Sequence, residues 1–161
     1  MPGTATAVGA TVELRLFQAG DAAAFLALNE AWIEKLFKLE EHDREVLGDP
    51  AKYIMDPGGQ IVIAEDAGVV VGCCGLMPME PGVFEVAKMA VDERYQGRGV
   101  GRKVLARVIE EGRAMGAKRL YLETNHRLEN AIHLYEALGF KHLPPTESPY
   151  ARADVFMEMW L

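Results

Sequence analysis

Three glycines at alternate positions, set between a strand pattern and a helix pattern, constrain this chain more than any other feature. In 94-RYQGRGVGRK-103, Gly97, Gly99 and Gly101 are interleaved with Arg94, Arg98 and Arg102. The preceding stretch 83-VFEVAKMAV-91 reads as a strand. The following 102-RKVLARVIEEGRAM-115 reads as a helix, with Val100, Val104, Leu105, Val108 and Ile109 along one face. A helix N-terminus presents unpaired N–H groups and the positive end of its dipole. Glycines let an anion come close to that backbone. The turn at 96–101 therefore suits a phosphate or pyrophosphate, with the neighbouring arginines adding charge-assisted contacts. A ligand-free tight turn is the alternative. Two common phosphate loops do not fit: G-x-G-x-x-G needs glycine where Arg102 stands, and a P-loop needs wider glycine spacing followed by Gly-Lys-Ser/Thr.

The rest of the chain reads as one mixed domain. Its 161 residues are half hydrophobic and a quarter charged, enough for a single domain with its own core. A net charge of −7 argues against nucleic acid or an anionic membrane as the main partner. Residues 1–10 read as a flexible tail and residues 11–161 as the domain. Segment 11-TVELRLF-17 alternates as a strand, and Asp21 is placed to cap a helix over 22-AAAFLALNEAWIEKLF-37. A second short helix fits within 38–50. Segments 60-QIVIAE-65 and 69-VVVGCCGLM-77 flank a hairpin turn at Asp66-Ala67-Gly68. After the glycine turn and its helix come strand 119-RLYLET-124, helix 129-ENAIHLYEALGF-140 closed by Gly139, and a last strand in 154-DVFMEMWL-161. The order β-α-α-β-β-β-α-β-α-β-β describes a mixed sheet with helices packed on it.

Cys73 and Cys74 are neighbours in an apolar strand pattern and read as buried, inert thiols. No apolar run reaches the length of a membrane span, and the N-terminus lacks a signal-peptide pattern, so a cytoplasmic location is the expectation. None of the four histidines has metal-ligand spacing, and no metal is expected.

The glycine turn and one later stretch together resemble the GNAT superfamily of acyl-CoA-dependent N-acyltransferases. The family signature Q/R-x-x-G-x-G/A is matched by Gln96, Gly97, Arg98, Gly99, Val100 and Gly101. The stretch 130-NAIHLYEALGF-140 is similar to the family's N-x-x-A-x-x-x-Y-x-x-x-G-F region at Asn130, Tyr135, Gly139 and Phe140, with the alanine shifted to follow the asparagine. The resemblance runs from about Thr11 to the C-terminus. It implies an α/β (α+β) fold: a mixed, largely antiparallel sheet of about seven strands, flanked by about four helices, with the fourth and fifth strands splayed. It implies acetyl-CoA as cosubstrate, its pyrophosphate cradled by residues 96–101 and Arg102. Backbone groups of Met89, Ala90 and Val91 would meet the pantetheine, and Asn130 would touch the pantetheine arm or the diphosphate. Met89 and Val91 are equally core residues, and Asn130 is alternatively a local helix cap. Arg98, Arg102 and Lys103 either meet phosphates or form a solvated helix start.

The implied reaction is attack of an amine on the thioester carbon. Direct transfer in a ternary complex is expected, because no G-x-S-x-G occurs and neither cysteine has an evident base. Tyr135 is the candidate general acid, a phenol whose usual pKa of about 10 suits a leaving thiolate; packing against the sheet is its alternative. Glu85 is the candidate general base. By period two it shares an otherwise apolar face with Ala87 and Met89, where desolvation would raise its pKa. Glu123 is the rival. The acceptor groove is expected between 32-WIEKLFKLEEHDRE-45 and 143-LPPTESPYARAD-154. The first holds Trp32, Phe37, Glu40, Glu41 and Asp43, acidic groups beside aromatics that would suit a cationic amine; the second holds Tyr150 and Arg152, and Arg152 would bind an acceptor carboxylate bidentately. The expected acceptor is thus a small, amino-acid-like primary amine, a solvated charged face being the alternative for any single residue. A non-catalytic CoA-sensing domain and a peptide or protein N-acetyltransferase are the competing readings. Homodimers are common in the resembled family.

Overall fold

The computed structural model describes residues 11–161, so the tail expected at 1–10 lies outside the described residues. Seven strands form one sheet in the order β1-β2-β3-β4-β5-β7-β6. They are β1 (Glu13–Leu16), β2 (Gln60–Asp66), β3 (Val69–Pro78), β4 (Val83–Val91), β5 (Arg119–Thr124), β6 (Lys141–Leu143) and β7 (Val155–Trp160). Every pairing is antiparallel except β4 with β5. The helices are α1 (Ala22–Leu36), α2 (Glu41–Gly48), α3 (Val100–Ala114) and α4 (Glu129–Leu138), with a short π-type turn at Ala51–Met55. This matches the expected mixed, largely antiparallel architecture. Among the described residues no helix is long and apolar enough to cross a membrane.

Each face of the sheet carries its own core. Val100, Val104, Leu105, Val108 and Ile109 of α3 are buried with Val62, Cys74, Val86, Leu120, Leu122 and Tyr135. Burying an apolar side chain of this kind stabilises by about 1.5–3 kcal/mol, so this face fixes α3 to the sheet. Phe25 and Ile33 of α1, with Val46 and Leu47 of α2, pack on Ile61, Ile63, Cys73 and Ala90 across the other face. The adjacent cysteines therefore point into opposite cores. Both are free, and burial pushes both thiols up, so neither is poised as a nucleophile.

Two local expectations are corrected. Asp21 makes no side-chain cap for α1. Its carboxylate accepts instead from both terminal nitrogens of Arg15, at 2.7 and 2.9 Å, and from the Gln18 backbone N–H. The second correction lies in β4. Opposite β3, the register slips between Cys73 and Gly75, and Lys88 adopts a left-handed φ of +59°. This bulge puts two β4 residues opposite one of β3 and breaks the period-two alternation. Met89 consequently packs with the α3 core while Ala90 joins the α1–α2 core. Glu85 and Met89 do not share a face, as strict alternation would have them do. Lys88 turns instead toward α2.

Candidate active site

The parallel ladder of β4 and β5 is short. It joins Val83 to Arg119, Phe84 to Leu120 and Glu85 to Tyr121, and ends there. Beyond Glu85 the two strands part, leaving the β5-facing backbone of β4 unpaired through Val91. A cleft of about 630 Å³ fills the gap. It is lined by β4 from Glu85 to Val91, by Glu123, Thr124 and Asn125 after the split in β5, by Tyr135 and Asn130 of α4, by Trp32 and Leu36 of α1, and by Tyr150 and Arg152. The glycine turn closes one end with Gln96, Gly97, Gly99, Val100, Gly101 and Arg102.

That end is made of backbone. Gly97 and Gly99 hold φ of +76° and +80°, which a side chain rarely adopts, and nothing stands within 4 Å of where a Cβ on either would lie. Gly99 is the N-cap of α3, and the first helical hydrogen bond runs from the Lys103 N–H to its carbonyl. The N–H groups before Lys103 face the open end of the turn without intrahelical partners. The Gln96 side chain donates to the Val91 carbonyl at 3.4 Å and ties the turn to the end of β4. Arg102 lines the cleft, whereas the guanidinium of Arg98 lies 5.8 Å from the centre of the Tyr95 ring. Asn130 stands in the first turn of α4, whose N-cap is Leu128 with no side-chain cap, so Asn130 is not spent on local capping.

The middle of the cleft holds the two titratable groups singled out from the sequence. Tyr135 is 7% exposed and packs edge-on against Phe140. Its hydroxyl has no hydrogen-bond partner among the described residues, and burial raises its pKa, so it carries its proton at neutral pH. Glu85 likewise accepts no hydrogen bond among the described residues. Burial first, then the charge of Glu123, pushes its carboxyl up to about 7, against an opposing pull from Lys88. Glu123 is held differently: it accepts from the Tyr121 hydroxyl at 3.0 Å and from the Ser148 hydroxyl. One carboxylate is therefore left unsatisfied and the other is fixed by two donors.

The far end is made of side chains from distant segments. Lys88, 7% exposed, donates to Asp43 Oδ1 at 2.8 Å and to the Tyr150 hydroxyl at 2.7 Å. Asp43, fully buried, also receives two nitrogens of Arg152, each at 2.7 Å. Burial works against the Asp43 carboxylate, but the hydrogen bonds from Arg152 and Lys88 outweigh it and hold the group well below the usual range. Glu40 accepts from the Ala151 N–H at 2.9 Å and sits 3.4 Å from Arg152, so its carboxylate anchors the 150–152 segment. Asn125 donates to the Arg152 carbonyl at 2.7 Å. Trp32 is oriented by its indole N–H, which donates to the buried Asn29 at 3.2 Å. Arg152, expected to bind an acceptor carboxylate, lines the cleft with two of its nitrogens held by Asp43. Lys88, Asn125 and Ser148 were not identified as site residues, and Asp43 was expected as one of the acidic groups of the groove, not as a buried pivot. A lysine inside the apolar strand 83–91 was the one available signal. Among the described residues no group of histidines, cysteines and carboxylates could hold a metal ion.

Comparison with known proteins places this architecture in context. Residues 23–140 match the acetyltransferase (GNAT) family. YjgM of Escherichia coli (strain K12), described as an uncharacterized N-acetyltransferase, is 40% identical over 90 residues, covering 54% of this chain and 54% of YjgM. The N-alpha-acetyltransferase RimI of Mycobacterium tuberculosis is 32% identical over 95 residues, covering 57% of this chain and 58% of RimI. The chain thus spans little more than half the length of these relatives. The structure of yncA from Salmonella typhimurium, solved with its cofactor acetyl-CoA, superposes with a TM-score of 0.74 at 20% identity, over 93% of this chain and 94% of that one.

Proposed function

The chain belongs to the acetyltransferase (GNAT) family, and from that premise we propose that the cleft between β4 and β5 transfers the acetyl group of acetyl-CoA to a small primary amine. The observation that carries the proposal is the juxtaposition, in one cleft, of an anion-ready backbone turn with an unpartnered phenol and an unpartnered carboxylate of raised proton affinity. The glycine turn fits a diphosphate: the positive φ of Gly97 and Gly99 opens the backbone, and the start of α3 offers free N–H donors with the positive end of a helix dipole. Arg102 adds a cation at the same end. The unpaired edge of β4 at Met89, Ala90 and Val91 offers backbone N–H and C=O groups to a pantetheine lying alongside as an extra strand. A backbone N–H there would polarise the thioester carbonyl.

Acetyl-CoA supplies the thioester; the chain's residues handle the protons. Glu85 takes a proton from the acceptor ammonium, directly or through a water, and a carboxyl poised near neutrality suits that task. The amine nitrogen then forms the new C–N bond as the C–S bond breaks, and the second proton it must lose to become an amide passes through solvent and restores the Tyr135 hydroxyl. Tyr135 gives its proton to the departing sulfur. Glu123, already held by two hydroxyls, fits a fixed anion near the acceptor better than a base. The name of RimI keeps a peptide N-terminus as the rival acceptor, and a cleft that binds acetyl-CoA without turnover as the rival class.

The deciding experiment measures CoA thiol release from acetyl-CoA with amines, amino acids and peptides, alongside direct acetyl-CoA binding. Turnover is expected with at least one small amine, and Tyr135→Phe should lower kcat by about 100-fold with little change in acetyl-CoA affinity. Tight binding without turnover across the panel would favour a sensor. Full activity in Tyr135→Phe would remove the assigned acid.

A further inference from the structure

The far end of the cleft carries a charge arrangement that acetyl transfer itself does not require. Asp43 is fully buried and holds two cations of this region: Lys88 at 2.8 Å, and Arg152 through two nitrogens at 2.7 Å each. Glu40 brings a second carboxylate to 3.4 Å from Arg152. Two positive charges meet two negative ones, and the cluster is neutral as a group. Glu85 and Glu123 line the cleft with no ion-pair partner among the described residues, and Arg127 lines it from the side of α1, where its guanidinium donates to the Leu36 carbonyl at 3.0 Å and lies 5.0 Å from the centre of the Phe37 ring. The two carboxylates lie close enough for the charge of Glu123 to hinder ionisation of Glu85. The groups facing Glu85 are thus Glu123 and Tyr121 from β5, Lys88 from β4, and Tyr150 from the loop before β7, with Asp43 behind Lys88. The site is more than a set of acidic residues, because the nearly buried Tyr135 lines the same cleft with its hydroxyl unpartnered.

We propose that Asp43 is a specificity-determining residue: by occupying Lys88 and Arg152 it leaves Glu85 and Glu123 as carboxylates without an ion-pair partner in the cleft, which selects a primary amine with no carboxylate on the carbon that bears the nitrogen. The inference rests on the acetyl-transfer reading and narrows its acceptor. An ammonium group entering between two carboxylates relieves their repulsion and favours the ionised, proton-accepting form of Glu85. An α-carboxylate on the same acceptor would add a third negative charge beside them. To receive it, Arg152 would have to release Asp43 and leave a buried carboxylate short of partners, a change that is strongly unfavourable. The rings of Trp32 and Tyr150 border the same space; Arg152 lies 5.8 and 4.6 Å from their centres, so they suit an apolar amine substituent rather than a further cation.

The test uses acceptor pairs that differ in that one charge: phenylalaninamide against phenylalanine, and tyramine against tyrosine. The full chain is given acetyl-CoA, and kcat/KM is read as CoA thiol release for each member. The expected result is that the amide or amine exceeds its amino acid by at least tenfold. Glu123→Gln should narrow that ratio several-fold, and Asp43→Asn, which loosens the hold on Arg152, should narrow it further or reverse it. A merely structural role for Asp43 would lower both members of a pair together and leave the ratio alone. If Asp43→Asn fails to fold, Glu123→Gln decides, and an unchanged ratio there overturns the proposal. Equal or better use of the free amino acids by the unaltered chain also overturns it. So does acetyl-CoA binding without turnover of any of these amines, because a cleft selected on charge alone must process some of them. Failure to bind acetyl-CoA at all would overturn the acetyl-transfer reading instead.

Discussion

The two ends of the cleft are built from different materials. At the glycine turn, recognition is a property of backbone: left-handed glycines at 97 and 99, free N–H groups at the start of α3, and the open edge of β4. At the acceptor end it is a property of side chains, with Asp43, Lys88, Tyr150 and Arg152 brought together from α2, β4 and the loop before β7. Backbone recognition is generic and tolerates changes of neighbouring side chains. A buried ionic cluster is specific and fails sharply, because each member is there to satisfy another. The same cleft can therefore keep one ligand constant and let the other be redefined by a few substitutions.

The largest expected effect strikes the side-chain end. Asp43→Ala leaves Lys88 and Arg152 without their shared carboxylate, and breaking a buried pair in this way costs about 3–5 kcal/mol. Urea denaturation should report that loss, while acetyl-CoA affinity, measured on the protein that remains folded, should change less than about threefold. A large loss of acetyl-CoA affinity would break the separation of the two ends.

Glu85 sharpens the comparison through pH. Its carboxyl is raised from 4.5 to about 7, so kcat/KM should rise with pH through about 7 as the base ionises. Glu85→Gln should lower kcat/KM by about 100-fold and flatten that limb. The linked effect on stability has a definite sign. The folded state holds this proton more tightly than the unfolded one, so the contribution of Glu85 to stability falls as pH rises from about 4.5 toward 7. Glu85→Gln should accordingly melt at a higher temperature than the parent at pH 8. A lower melting temperature there would mean that the ionised carboxylate is satisfied after all.

This difference in materials also explains what could be read from the sequence. Six of the strands, the three longer helices and the glycine turn were legible because each is written in one continuous stretch, by apolar periodicity or by glycine spacing; β6 (Lys141–Leu143), three residues long, and α2, in a charged stretch, carry no such pattern. The pairing within the acceptor cluster was not legible, because its members are far apart in the chain: 45 residues separate Asp43 from Lys88, and 109 separate Asp43 from Arg152. The bulge at Lys88 compounds this. A period-two reading puts Lys88 on the face opposite Glu85, and only the left-handed backbone at 88 turns it toward Asp43. That conformation costs a non-glycine residue about 1–2 kcal/mol. Nothing local in 83-VFEVAKMAV-91 announces it. The partner that holds Lys88 in place lies on α2. Glu40 and Arg152 were both expected at the groove, and which charge each would meet depended on the same long-range folding.

The smallest effects come from the backbone end and separate its glycines from one another. Gly99 needs its glycine for φ: a β-branched residue at +80° is strained by about 1–3 kcal/mol, so Gly99→Val should weaken acetyl-CoA binding by roughly tenfold to a hundredfold in calorimetric titration. Gly101 has no such φ, and a Cβ there would meet Leu134 at 3.6 Å and Val91 at 3.7 Å, ordinary contact distances. Gly101→Ala should therefore fold normally and shift acetyl-CoA affinity by less than about threefold, within the scatter of a neutral substitution. If Gly101→Ala instead matched Gly99→Val, the third glycine would be serving close approach of the ligand rather than the turn. The cradle would then extend one residue further into α3 than the backbone angles alone require.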